Sequence, residues 1–343
     1  MGLIKTMAKD RFQELDVFRG VAAFAVMLFH FSSRYPQVYN PAADPGWSFD
    51  YGHYGVQLFF MISGFVIFLT LSRCRSASDF LMSRFSRLYP AYWAAMLLTA
   101  AVGFIWPLPD QHYSLSQLLI NVSMLQSYLF VPSIDGVYWT LSYELGFYAV
   151  MLALYLLGVV RHVHAVVAGW LLLALVNALW PLPFRLQLLA VLPYAPLFMA
   201  GLLFHEVWSR RASKLTWLLL AACLFGACAL EQHLVGRLLM PVFFLLFGLA
   251  VTGHMRWLLN RPLLWLGSIS YTLYLVHQML GFRVIAWLES AGWSINLAIA
   301  TAIAAVCILA TLLTQLIEQP SLRWLRQWYQ QRRVPVAAVG QQA

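Results

Sequence analysis

Stretches of about 20 apolar residues recur from one end of this chain to the other, and each is long enough to cross a hydrocarbon core of about 30 Å as a helix. They fall at about 16–33, 54–72, 89–106, 137–159, 164–180, 187–208, 215–230, 237–254, 263–281 and 295–316. No stretch remains that could fold as a soluble domain. Composition agrees: 62% of the 343 residues are hydrophobic and only 10% are charged, where soluble domains carry about 25%. The chain is therefore expected to be an all-α integral membrane protein, a bundle of about ten transmembrane helices within residues 1–330. Residues 331–343 are expected to form a short disordered cytoplasmic tail. The first span follows a short basic stretch, lacks a small-residue cleavage site and is expected to be retained. The semi-polar segment 114–130, SLSQLLINVSMLQSYLF, reads as an interfacial or re-entrant helix. Cys74, Cys223, Cys228 and Cys307 form no CxxC pair and sit in or beside apolar segments, so neither a disulfide framework nor a metal site is expected.

Basic residues set the orientation. With ten crossings, eighteen of the 22 Lys and Arg fall on one side and only Arg34, Arg185, Arg237 and Arg283 on the other. The positive-inside rule then puts both termini in the cytoplasm. The net charge of +9 is accordingly mostly topology. A nucleic-acid partner is excluded, because the charge is spread over separate cytoplasmic segments instead of forming one stripe.

Within these greasy spans a few ionisable side chains stand out, and holding one in a membrane helix costs roughly 2.5–3.5 kcal/mol at the centre. LDVFRGVAAFAVMLFH, residues 15–30, carries Arg19 and His30. Eleven residues at about 100° each return to within about 20° of the starting direction, so both look the same way, about 16 Å apart along the axis. Asp16, three residues before Arg19, can neutralise it in part. Arg84 and Arg87 in SRFSRLYPAYW are also three apart; they are expected at the cytoplasmic mouth of a helix beginning at Tyr89–Pro90. Two guanidinium forks on one face suit a phosphate. Ser63 and Gly64 lie in GVQLFFMISGF, Tyr143 and Glu144 in WTLSYELGFY, and His277 in ISYTLYLVHQ. An ion pair with Arg185 would account for Glu144, and a Tyr or Ser hydrogen bond for His277. There is no GxGxxG, P-loop, HExxH or GxSxG pattern of a soluble enzyme.

Taken in order, LDVFRG with its Arg-to-His spacing, GVQLFFMISGF, the Arg-x-x-Arg of SRFSRLYP, WTLSYELGFY, LGSISYTLYLVH and IEQPSLRW resemble the membrane acyltransferase-3 family. These are bacterial integral-membrane O-acyltransferases that modify surface polysaccharides and other glycans. The resemblance covers nearly the whole chain. It implies essential roles for Arg19 and His30, an acyl-CoA-side role for Arg84 and Arg87, and a role for Glu144. It also implies acetyl-CoA or another acyl-CoA as donor, a glycan or other hydroxyl-bearing acceptor, and a multi-pass location in the bacterial inner membrane. Polysaccharide-assembly proteins would be further partners. Gln57 stands where the family often has Asp, Val276 where Trp is frequent and Gln319 where Arg is common, which weakens any transfer of acceptor identity. Asp16, Ser63, Tyr143 and His277 are further site candidates. A transporter or flippase of lipid-linked glycan is the alternative, but no repeat relates the two halves and no paired broken helices point to alternating access.

Overall fold

The computed structural model describes residues 12–109 and 111–332. Every regular element among them is helical, with no strand. The long helices are α1 (Gln13–Phe29), α2 (Gly55–Arg73), α3 (Ala77–Ile105), α4 (Trp139–Leu156), α5 (Val163–Leu179), α6 (Ala195–Trp208), α7 (Lys214–Leu230), α8 (Leu234–Val251), α9 (Arg261–Ser290), α10 (Ile295–Leu313) and α11 (Gln319–Arg332). Among the described residues, six helical rods are long and apolar enough to cross a membrane: Gln13–Tyr39, Asp50–Arg73, Ala77–Ile105, Gly136–Leu156, Leu234–Val251 and Ile295–Arg332. Helices α5 and α7 are shorter apolar helices. The outward surface carries exposed Leu97, Phe104, Leu156, Phe225 and Ile308, as a lipid-facing bundle requires. This is a multi-pass membrane protein.

Helix α9 is the axis of the bundle. Every side chain from Ile269 to Arg283 is buried, so the helix is covered on all faces. Helix α1 lies along it without side chains between the two backbones: a Cβ on Gly20 would sit 2.5 Å from the Gly267 nitrogen, and one on Gly267 2.4 Å from the Asp16 carbonyl oxygen. Small residues permit this approach, and it supplies dispersion contacts in lipid, where hydrophobic burial between helices contributes little. Ten residues further along each helix the rings of His30 and His277 meet. The two helices therefore run parallel and in register. Helix α2 pairs similarly with α6, where Gly64 lies against the Phe198 backbone and Gly201 against that of Met61.

Several boundaries differ from the sequence expectation. Helix α3 starts at Ala77, twelve residues before Tyr89, because Ser76 caps it by accepting the Asp79 N–H at 3.3 Å. Pro90 sits inside the helix, and the Tyr271 hydroxyl donates to the Leu88 carbonyl just upstream of it. Arg84 and Arg87 thus project from the body of α3, not from a loop at its mouth. Helix α9 continues to Ser290. Segment 114–130 contains a helix of only seven residues, Leu115–Asn121, and a short turn, Gln126–Leu129. At 1.5 Å per residue such a helix spans only about 10 Å, too little for a re-entrant hairpin. It is pinned instead to α3 by Tyr92, which donates to the Asn121 carbonyl at 2.7 Å. Gln331 and Arg332, expected in the tail, instead close α11; the rest of that tail, and the basic residues Lys5, Lys9, Arg11 and Arg333, lie outside the described residues.

Gly20→Ala or Gly267→Ala should force α1 off α9 and lower the thermal unfolding midpoint in detergent, at about 1–3 kcal/mol for overpacking. Gly169→Ala, where an added Cβ meets nothing within 4 Å, should leave the midpoint unchanged or raise it. Equal midpoints for all three variants would contradict the contact.

Candidate functional site

Five helices meet around one cavity in the bundle. Arg19 comes from α1, Ser63 from α2, Arg84 and Arg87 from α3, Thr140, Glu144 and Tyr148 from α4, and Ser270, Tyr271 and Tyr274 from α9. The space of about 90 Å³ holds several water-sized groups. Three arginines around it make a strongly positive lining.

Each charged wall residue is held by a specific partner. Arg19 lies 3.9 Å from Asp16, the neutralising pair anticipated from their spacing, although Asp16 itself does not line the cavity. Arg84 donates to Thr70 Oγ1 at 3.2 Å and Ser83 Oγ at 2.9 Å, and its guanidinium sits 5.9 Å from the Tyr148 ring centroid. Its Nε is buried without a partner. Arg87 pairs with Glu318 and lies over the Tyr271 ring at 5.5 Å. Glu144 Oε1 accepts from the Tyr148 hydroxyl and, at 3.4 Å, from Ser63. It is not paired with Arg185, which donates to the Tyr128 carbonyl at 2.9 Å and stacks on Phe130. Arg185 sits on the short helix Phe184–Leu189, whose Phe184 ring packs on Phe130 at 5.6 Å and so sets the arginine beside the Tyr128 carbonyl.

The histidines form a second centre. His277 Nδ1 lies 2.9 Å from the Tyr274 carbonyl oxygen and 3.2 Å from that of Leu273, so this nitrogen carries the hydrogen. His277 Nε2 then accepts from His30 Nδ1 at 3.1 Å. His30 Nδ1 is also 2.8 Å from the Val26 carbonyl oxygen. Both rings are thus fixed as Nδ1–H tautomers by hydrogen-bond geometry, which leaves the His30 Nε2 lone pair free. His277 finds a histidine and two carbonyls, not the Tyr or Ser hydroxyl anticipated for it.

Neither histidine lines the arginine cavity. Between the two centres stands Tyr274, bonded to Thr140 at 3.0 Å, one helical turn before His277. Tyr143 also stays off the cavity, its ring among those of Phe60, Trp139 and Tyr194. Arg19, Ser63, Arg84, Arg87 and Glu144 therefore share one cavity, and His30 joins His277 beyond them.

The residue overlooked in the sequence is Glu318. It stands in IEQPSLRW, a motif recognised for its order along the chain without weight on its one carboxylate. An acidic side chain at the end of a long apolar run was the available signal. Both Glu318 and His30 belong to five-residue π-helical turns, His30–Arg34 and Thr314–Glu318, and such turns mark functional sites often.

A family profile described as an acyltransferase domain matches residues 12–317. The chain is similar to the exopolysaccharide production protein ExoZ of Rhizobium meliloti (strain 1021), with 28% identity over 83% of this chain and 94% of that protein. It is also similar to protein 2 in the picA locus of Rhizobium radiobacter, with 30% identity over 36% of this chain and 66% of that protein. No solved structure matches.

Arg87→Ala should leave the Glu318 carboxylate buried and unpaired, at a cost of about 3–5 kcal/mol. The double replacement Arg87→Met with Glu318→Leu should restore the unfolding midpoint without restoring activity. An unaltered midpoint in Arg87→Ala would mean the pair carries no stability.

Proposed function

Because this chain belongs to the acyltransferase-3 family and is a membrane acyltransferase, we propose that it moves an acyl group, acetyl in the simplest case, from cytoplasmic acyl-CoA to a hydroxyl of a cell-envelope or exported glycan. Family membership removes the ground for the transporter alternative. The reading takes about ten crossings of the inner membrane with both termini in the cytoplasm, supported by the distribution of Lys and Arg.

The observation that carries it is the pairing of an arginine-lined cavity with a histidine base-and-support pair one turn beyond. Arg84 and Arg87 hold CoA phosphates, for which planar guanidinium forks are suited; the unpartnered Arg84 Nε fits such an anion. Arg19 orients the pantetheine or thioester end, and Glu144 keeps Tyr148 and Ser63 in place along the wall. The acyl end passes the Thr140–Tyr274 bond to reach the histidines. There His30 Nε2 takes the proton of the acceptor hydroxyl as its oxygen bonds to the thioester carbonyl carbon. The carbon–sulfur bond breaks, CoA leaves as thiolate, and the proton passes from His30 to that sulfur. His277 holds the tautomer by accepting from His30 Nδ1–H. A neutral imidazole near pH 7 suits this task. The exopolysaccharide context in the name of ExoZ supports a polysaccharide acceptor.

His30→Ala should abolish acyl transfer to surface glycans in intact cells while the protein still accumulates and acetyl-CoA still protects it from heat unfolding. Wild-type turnover in that variant would end the base assignment. Arg84→Ala should weaken that protection: loss of one charge-assisted hydrogen bond, about 1.5–3 kcal/mol, corresponds to about 10- to 100-fold in Kd. Mass spectrometry of glycans from cells with and without the gene would identify donor group and acceptor together.

A further inference from the structure

The turn that leads into α4 holds α9 at the level of the histidine pair. Asp135 is fully buried. One carboxylate oxygen accepts the Val137 N–H at 3.2 Å and shapes the turn Gly136–Tyr138; the other accepts the Met279 N–H of α9 at 3.1 Å. Three residues on, the Tyr138 hydroxyl donates to the Leu275 carbonyl at 3.2 Å. In an uninterrupted α-helix the N–H of residue 279 bonds the carbonyl of residue 275. Asp135 and Tyr138 therefore engage the two ends of one helical hydrogen bond, and His277 lies midway between them.

The surroundings keep this arrangement in place. Arg283 donates to the Met279 carbonyl at 3.0 Å, so a carboxylate and a guanidinium flank the same residue of α9 and balance each other's charge across it. Arg283 is held in turn by Gln111 at 2.7 Å and the Trp106 carbonyl at 3.0 Å. The Val137 carbonyl accepts from Tyr274 at 3.3 Å, adding a third tie one turn before His277. Gly136 allows the close fit, because a Cβ there would come within 2.7 Å of the Gln278 side chain. A simple loop anchor could grip α9 anywhere. This one grips Tyr274, Leu275 and Met279, on both sides of His277.

We propose that Asp135 and Tyr138 are positioning residues for the transfer step: together they set the path of α9 from Leu275 to Met279 and so aim His277 Nε2 at His30 Nδ1. This rests on the reading of His30 as the base.

The experiment uses full-length protein in membranes carrying their own acceptor, with radiolabelled acetyl-CoA titrated as donor. Tyr138→Phe removes one hydroxyl, Asp135→Leu removes both acceptor oxygens, and Asp135→Asn keeps an oxygen for the Met279 N–H. The expected result is a fall in maximal rate of about tenfold or more for Tyr138→Phe and Asp135→Leu, with the donor KM within about twofold of wild type and Asp135→Asn recovering most of the rate. An unchanged rate in Tyr138→Phe, or a donor KM that rises in step with the lost rate, overturns the proposal. If Asp135→Leu fails to accumulate, Tyr138→Phe and Asp135→Asn decide. A second readout needs no turnover: solid-state NMR on 15N-histidine protein should show the His30–His277 contact in the wild type and its loss in Tyr138→Phe. A contact that persists there also overturns the proposal. Absence of transfer by the wild type, or full transfer by His30→Ala, would instead count against the catalytic reading and leave the NMR comparison to judge the clamp.

Discussion

The backbone contact between Gly20 and Gly267 is the constraint on which the polar interior depends. A lipid-embedded bundle gains little by burying one apolar helix face against another, so helices that pack tightly do so where small residues let backbones touch. Here that contact also sets the relative height of two parallel helices. Arg19, next to Gly20, reaches a cavity walled by Ser270 and Tyr271 of α9, and His30 meets His277 ten residues later. A slip of one residue along either helix would turn these side chains by about 100° and separate both groups.

The same interior holds several charges, each matched by a local device. Arg87 has Glu318, Arg19 has Asp16, and Arg84 has two hydroxyls and an aromatic face. Arg283 and Asp135 are balanced through the residue between them. Removing water strengthens such interactions and raises the cost of leaving any member unpaired. The polar set is accordingly anchored side chain by side chain within an apolar scaffold, as a site for group transfer needs if reacting groups are to be held in place.

Tyr274, bonded to Thr140 at 3.0 Å, lines the arginine cavity and sets its ring 5.7 Å from that of His277. Two polar centres that meet at one tyrosine differ from a single cavity lined by all of these residues. In a membrane acyltransferase, keeping bulk water out of such centres favours transfer over hydrolysis.

The all-helical class, the Arg19–His30 facing and the gathering of Arg84 and Arg87 were legible in the sequence, because each depends on local periodicity: apolar length for a span, 100° per residue for a shared face, three residues for a shared turn. The true start of α3 was not, since Pro90 reads as a boundary while the Ser76 cap fourteen residues earlier decides it. Nor was the Arg87–Glu318 pair, nor the grip of Asp135 and Tyr138 on α9, because their partners lie 231, 144 and 137 residues away. Periodicity in one chain segment determines which way a side chain points; only the packing of helices distant in sequence decides what it finds there.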